Sequence, residues 1–170
     1  MITAHLSGNI ISSNSQEAHS LHAKSYFGEP KEDKIQYMLI EALYLVKTNR
    51  MEILSKGKSL SEEKLQSKFQ KLDKKFSLKY PVFENLRKKG YIVKTALKFG
   101  ADFRVYEPGK KPGSEHAKWL VFVESEAKKM DWHEFSARNR VAHSTKKNLL
   151  LAIVDEEGDV TYYEVSWLRP

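Results

Sequence analysis

Cysteine is missing altogether from this chain of 170 residues. Its absence excludes disulfides and thiolate-ligated zinc, and points to an intracellular, cytoplasmic protein. Nowhere does an apolar run reach the roughly 18 residues that a membrane helix needs, so no spanning segment is expected. The opening residues, MITAHLSGNIISSNS, lack the basic start and apolar stretch of a secretory signal. No internal repeat and no low-complexity tract occurs. Acidic side chains are the scarcer charge: 22 Asp and Glu stand against 29 Lys and Arg, a formal net charge of +7. That balance favours a polyanionic partner, nucleic acid foremost, although Lys-rich surfaces also serve solubility. A content of 41% hydrophobic and 30% charged residues is that of a globular protein, one medium domain or two small ones.

Residues 1–30 are mixed; ISSNSQEAHS reads as turn and residues 24–27 as a short strand. Residues 37–47 (YMLIEALYLVK) carry Leu39, Leu43 and Val46, with Ile40 and Tyr44 alongside, the wide apolar stripe of a buried helix. A strand at 51–54 follows. Ser59-x-x-Glu62 resembles a capping box, opening a helix with Leu65, Phe69 and Leu72 on one face. The charged residues 73–79 mark the expected boundary, dividing the chain into an N-terminal α+β domain, 1–79, and a C-terminal domain, 80–170. Pro81 suits the first turn of a helix that Gly90 stops.

The chemistry concentrates in the second half. Between residues 92 and 106 apolar and polar side chains alternate, Leu97, Phe99, Ala101, Phe103 and Val105 against Lys98, Gly100, Asp102, Arg104 and Tyr106. Period two predicts one half-buried strand that ends in Arg104 and Tyr106. Ten residues after Tyr106, across a Gly-, Pro- and Lys-rich loop, stands His116. A strand at 119–124, a helix capped by Asp131-x-x-Glu134 and a nearly all-apolar strand at 148–154 follow. The turn DEEGD then leads to a hairpin partner at 160–165. Arg140, Ser144 and Lys147 fall on one side of the helix, and Lys147 sits where helix hands over to strand. It meets Tyr106 and His116 if strands 92–106 and 148–154 are neighbours. Equally, Arg140, Lys146 and Lys147 suit a solvated helix end favoured by the helix dipole.

Three segments, LRKKGYIVKTALKFGADFRVYEPG, SEHAKWLVFV and RVAHSTKKNLLLAIVDEEGDVTYYEV, closely resemble the archaeal tRNA-splicing endonucleases. More loosely, the likeness extends to IEALYLVK and LSEEKLQSKF in the N-terminal half. It implies an α+β fold: N-terminal helices with a small mixed sheet, then a restriction-endonuclease-like domain whose mixed sheet is flanked by helices. It also implies a Tyr–His–Lys triad, carried here by Tyr106, His116 and Lys147, acting as a tRNA-intron lyase without metal or cofactor. The ribose 2′-OH is the nucleophile, leaving a 2′,3′-cyclic phosphate and a 5′-OH. On that pattern Tyr106 acts at the 2′-oxygen as base or positioner, His116 is the general acid and Lys147 stabilises the phosphorane. Tyrosine, with a reference pKa of about 10, needs help from a cation such as Arg104 or Lys147 to serve as base. Arg140 matches an arginine that stacks on a flipped bulge base. The implied substrate is precursor tRNA with bulge–helix–bulge junctions. The implied assembly is a homotetramer, a dimer of dimers docked through the acidic turn Asp155, Glu156, Glu157 and Asp159, with Tyr162 and Tyr163 at the paired edge. A heterotetramer with a structural subunit is the alternative.

Other patterns compete. Asp102 with Glu126-Ala-Lys128 superficially matches the PD-(D/E)xK pattern of metal-dependent nucleases, and Ser144-x-x-Lys147 that of penicillin-recognising enzymes. His143 has no ligand-spaced partner, His5, His19 and His22 form no convincing metal set, and Trp167 offers either a stacking face or a cap on the core. A non-catalytic RNA-binding subunit would share the basic charge.

Overall fold

The computed structural model describes residues 1–170 and divides into two compact units, Met1–Ser77 and Leu78–Pro170. Each is built on a mixed sheet with helices, so the protein is α+β.

In the first unit the strands are β1 (Ile2–Ser7), β2 (Ile10–Ser13), β3 (Glu29–Lys31), β4 (Lys34–Tyr37), β5 (Met51–Ser55) and β6 (Lys58–Ser59). Their order is β3-β4-β2-β1-β5-β6, with only β1 and β5 parallel. Helix α1 (Gln16–Ser25) is capped by Ser15, whose hydroxyl accepts from the Ala18 amide. It includes Lys24, so the expected strand at 24–27 is absent; Tyr26 ends the helix in the left-handed region and Phe27 is buried beyond it. Helix α2 (Leu39–Lys47) starts two residues later than the spacing suggested, because Tyr37 closes β4. Helix α3 (Glu62–Leu72) is capped by Ser61 rather than Ser59, which belongs to β6. Leu65 and Phe69 are fully buried, while Leu72 is 40% exposed.

Helix α4 (Phe76–Lys88) begins earlier than Pro81 indicated. Asp73 explains the difference: its carboxylate accepts from the Lys75 amide and its carbonyl from the Phe76 amide, both at 2.9 Å. Of the charged residues 73–79, the first three are a tight helix-to-helix turn and the rest open α4, with Pro81 inside it. Gly90, with φ 88°, ends the helix as expected.

The second unit carries β7 (Ile92–Ala96), β8 (Ala101–Tyr106), β9 (Trp119–Ser125), helix α5 (Trp132–Ser144), β10 (Asn148–Val154) and β11 (Val160–Val165). The sheet order is β11-β10-β9-β8-β7, and only β9 and β10 run parallel, joined through α5. One expectation fails: residues 92–106 are a hairpin, not one strand. Ile92 pairs with Tyr106 and Thr95 with Phe103, and a 3₁₀ turn, Leu97–Phe99, reverses the chain. Gly100 makes the reversal possible at φ 67°, in the left-handed region where a side chain is disfavoured. The turn residues happen to keep the apolar–polar alternation, so period two ran through the reversal unnoticed.

Helix α5 covers one face of this sheet, where Ala142 joins Leu120, Phe122 and Leu149 in a buried cluster flanked by Phe99, Phe135 and Val141. On the other face Phe83 of α4 packs on Phe103, ring centroids 6.1 Å apart, and Tyr162 donates its hydroxyl hydrogen to Asn85 at 3.1 Å. Burial pushes the Tyr162 phenol up to about 12.

Candidate active site

Strands β8 and β10 are not neighbours; β9 lies between them. The expected direct approach of Lys147 to Tyr106 is thus replaced by a bridge. The Lys118 amide donates to the Val105 carbonyl at 2.8 Å, and the Lys118 carbonyl accepts from the Asn148 amide at 3.0 Å. One backbone position therefore ties the end of β8 to the start of β10, bringing Tyr106, the 107–118 loop and Lys147 to one end of the sheet. No hydrogen bond joins the three side chains directly.

Tyr106 is the last residue of β8 and only 4% exposed. Arg104, two residues back on the same side of the strand, sets its guanidinium carbon 6.0 Å from the Tyr106 ring centre. The Arg104 Nε is buried without a hydrogen-bond partner, a donor left in want of an acceptor. His116 is exposed and lies in the loop before β9, not at the head of the strand. Glu115 shapes that loop by accepting from Lys110 Nζ at 2.9 Å and from the Lys111 amide at 2.7 Å. These bonds, the lysine's first, hold the Glu115 carboxyl below the usual range. Ala117, buried, anchors the loop's far end.

Lys147 is fixed by the way α5 stops. The Lys146 amide bonds to the His143 carbonyl and the Lys147 amide to the Ala142 carbonyl at 2.9 Å, with Lys146 at φ 57°. This is the Schellman arrangement, which satisfies carbonyls the helix end leaves unpaired. It leaves Lys146 exposed and turns Lys147 inward. The Lys147 ammonium donates to the Thr145 carbonyl at 2.8 Å and lies 5.4 Å above the Phe99 ring centre. Lys98 Nζ is 4.9 Å from the centre of that same ring. Burial first, then the charges of Arg104 and Lys98, holds the Lys147 pKa below the ordinary lysine value.

Lys110, Lys118 and Lys128 are ion-paired with Glu115, Glu107 and Glu124. Arg104, Lys98 and Lys147 are in no such pair. Two of these cations share the Phe99 ring and the third stands beside Tyr106, a local excess of positive charge that favours an anion.

Arg140 is exposed in the last turns of α5, seven residues before Lys147, and also carries no ion pair. Three residues on, His143 packs against Trp167 with ring centroids 4.3 Å apart. Trp167 is 47% exposed, so it lies on the surface beside α5 and does not cap the core. Arg138, which the sequence reading passed over, is embedded between Glu124, at 2.6 Å, and the Phe122 ring, at 4.7 Å. The four-residue spacing of Glu134 and Arg138 was the available signal.

The competing patterns are engaged elsewhere. Asp102 accepts from the Val123 amide at 2.8 Å, and Lys128 is held by Glu124 and Glu134, both at 3.1 Å. No three His, Asp or Glu side chains come together as a metal-binding group. Ser144 donates its hydroxyl hydrogen to the Val141 carbonyl at 3.0 Å.

Two family models match the chain: the tRNA intron endonuclease N-terminal domain over residues 2–66, and the tRNA intron endonuclease catalytic C-terminal domain over residues 76–162. The chain is 42% identical over 170 residues to the tRNA-splicing endonuclease of Thermococcus kodakarensis, covering 99% of each chain. It is 41% identical over 169 residues to that of Pyrococcus horikoshii, covering 99% of this chain and 97% of the relative. With that of Methanothermobacter thermautotrophicus it shares 42% identity over 153 residues, 90% of this chain and 89% of the relative. The chain belongs to the tRNA-splicing endonuclease family and has both its N-terminal and its catalytic domain.

Proposed function

We propose that this protein excises introns from precursor tRNA at bulge–helix–bulge junctions by a metal-independent attack of the ribose 2′-OH. One observation carries the reading: Lys147 and Lys98 share the Phe99 ring and Arg104 stands beside buried Tyr106, three cations without carboxylate partners. The scissile phosphate enters that cationic site. Tyr106, in its phenolate form, takes the proton of the 2′-hydroxyl and becomes the neutral phenol as the 2′-oxygen bonds to phosphorus. Lys147 stabilises the charge that develops on the phosphorane, and His116 gives a proton to the departing 5′-oxygen. Arg104, beside Tyr106, adds its charge to the same site.

The test is to incubate the purified protein in EDTA with a bulge–helix–bulge RNA and identify the ends. Expected products are a 2′,3′-cyclic phosphate and a 5′-OH. A linear 3′-phosphate from the outset, or no cleavage without added metal, sinks the mechanism.

Arg140 stacks on an unpaired bulge base, a contact that a guanidinium plane makes with any base. Its exposure and lack of an ion pair leave the plane free. Arg140→Ala is expected to weaken binding of bulged RNA and spare fully paired duplex. Equal losses on both would reduce it to a phosphate contact.

Two bulges call for two sites at a fixed separation, and each chain has one Tyr–His–Lys set, so at least two chains act together; the form proposed is a homotetramer, a dimer of dimers that holds two such sites apart. Glu156, Glu157 and Asp159 are exposed on the β10–β11 turn and suit docking into a basic cleft of another subunit. Asp155 has a different task. Its carboxylate accepts from the Glu157 and Asp159 amides, both at 2.9 Å, and holds the turn in shape. At the sheet's outer edge Tyr163, 57% exposed, lines a groove with Met130, Leu151 and Ile153, whereas Tyr162 is engaged with Asn85.

A further inference from the structure

Glu164 lies on β11, opposite Leu150 in the register. Its carboxylate accepts two hydrogen bonds, from Trp119 Nε1 at 3.0 Å on one oxygen and from Asn148 Nδ2 at 2.6 Å on the other. Both donors are the first residues of their strands. Trp119 opens β9 three residues after His116, and Asn148 opens β10 immediately after Lys147. The two positions are also register partners, Asn148 with Trp119.

We propose that Glu164 is a positioning residue for RNA cleavage, setting His116 and Lys147 relative to each other through Trp119 and Asn148; this rests on the assignment of those two side chains above. The carboxylate itself does not reach the cationic site. Trp119 packs on Tyr91, ring centroids 5.3 Å apart, whereas Lys147 lies over Phe99 in the cluster beneath α5. The two faces of the sheet thus separate the clamp from Lys147. Backbone pairing fixes the chain from Lys118 and from Asn148 onward, but ahead of those residues it leaves the sheet, as a loop on one side and a helix cap on the other. A carboxylate is suited to this junction because each oxygen accepts independently, so one rigid group holds two donors at once. Small displacements of reacting groups are costly, since catalysis depends on near-attack geometry. Glu164 also stands on the outermost strand, so a partner pairing along β11 would act on both strand starts through the same group.

The test uses the full chain and single-turnover cleavage of a bulge–helix–bulge RNA under saturating enzyme, well below the unfolding temperature. In Glu164→Gln the amide retains one acceptor oxygen and turns an N–H toward the second donor. The rate is expected to fall on the order of tenfold with RNA affinity unchanged. Adding Asn148→Asp reverses the frustrated pair: the amide donates to the new carboxylate while its oxygen still accepts from Trp119, and the net charge equals that of the wild type. This double variant is expected to recover most of the rate. Trp119→Phe, which removes only the indole donor, is expected to show a smaller fall. A merely structural role would lower the melting temperature and leave the rate unmoved. His116→Ala, assayed alongside, separates the two possible failures. If it is slow while Glu164→Gln and Trp119→Phe cleave at the wild-type rate, or the double variant is no faster than Glu164→Gln, the positioning role is overturned. If His116→Ala is as fast as wild type, the assignment of the site falls and the positioning role with it.

Discussion

At Lys147 burial and neighbouring charge act in the same direction. Both disfavour the ammonium form in the folded protein, so the folded pKa lies below the ordinary value of 10.5. The sign of the linkage follows. Below the lowered folded pKa the group is charged in both states and the native state bears the cost. As pH rises from that value toward 10.5, the folded lysine is already neutral and the cost fades. Lys147→Met is therefore expected to be inactive yet more thermally stable than wild type at neutral pH, the gap narrowing as pH approaches 10.5. Melting curves across that range check it; a less stable variant at neutral pH, or a constant gap, would defeat the argument. Stability surrendered at a site that gathers cations is what binding a phosphate restores. Arg104 belongs to the same arrangement, since its charge adds to the cost of the Lys147 ammonium and its guanidinium stands beside Tyr106.

Among the elements, the stop of α5 deserves a test because it decides which of two adjacent lysines faces the site. Lys146 takes the left-handed position of the Schellman turn at φ 57°, where glycine is the usual occupant. A non-glycine residue there costs about 1 kcal/mol, part of which glycine returns through its greater freedom in the unfolded chain. Lys146→Gly is expected to stabilise the protein by about 0.5 kcal/mol, seen as a small rise in melting temperature, with cleavage unchanged. A loss of activity would mean that the exposed Lys146 side chain itself contacts RNA. The β7–β8 hairpin makes a complementary point. Its turn carries Lys98 and Phe99 to Lys147, so the reversal at Gly100, which alternation concealed, supplies part of the site.

At the scale of the whole molecule the proposed homotetramer rests on charge between copies of the chain. Replacing Glu156, Glu157 and Asp159 by Gln, Gln and Asn, while keeping Asp155 to preserve the turn, is expected to split a tetramer into folded dimers and abolish paired cleavage. Light scattering that finds an active wild-type monomer, or an unchanged tetramer in the variant, would refute the assembly.

Much of this was legible in the residues. The strand pair at 148–154 and 160–165 has the expected bounds, and Asp131 caps α5 with its carboxylate on the Glu134 amide at 2.7 Å. Such features depend on local periodicity and capping, which a short window of sequence contains. The quoted motifs were enough to indicate the family, because several pieces recur in order at their spacings. What the sequence could not supply depends on contacts distant along the chain. Strand order is one case: β9 separates β8 from β10, and the join at Lys118 exists only once the parallel pair has formed. Glu164 is another, 45 residues from Trp119 and 16 from Asn148, its two partners chosen by register alone. Local pattern determined most of the elements that form. Long-range pairing decided which of them stand together, because hydrogen-bond register across a sheet is set by packing of the whole domain.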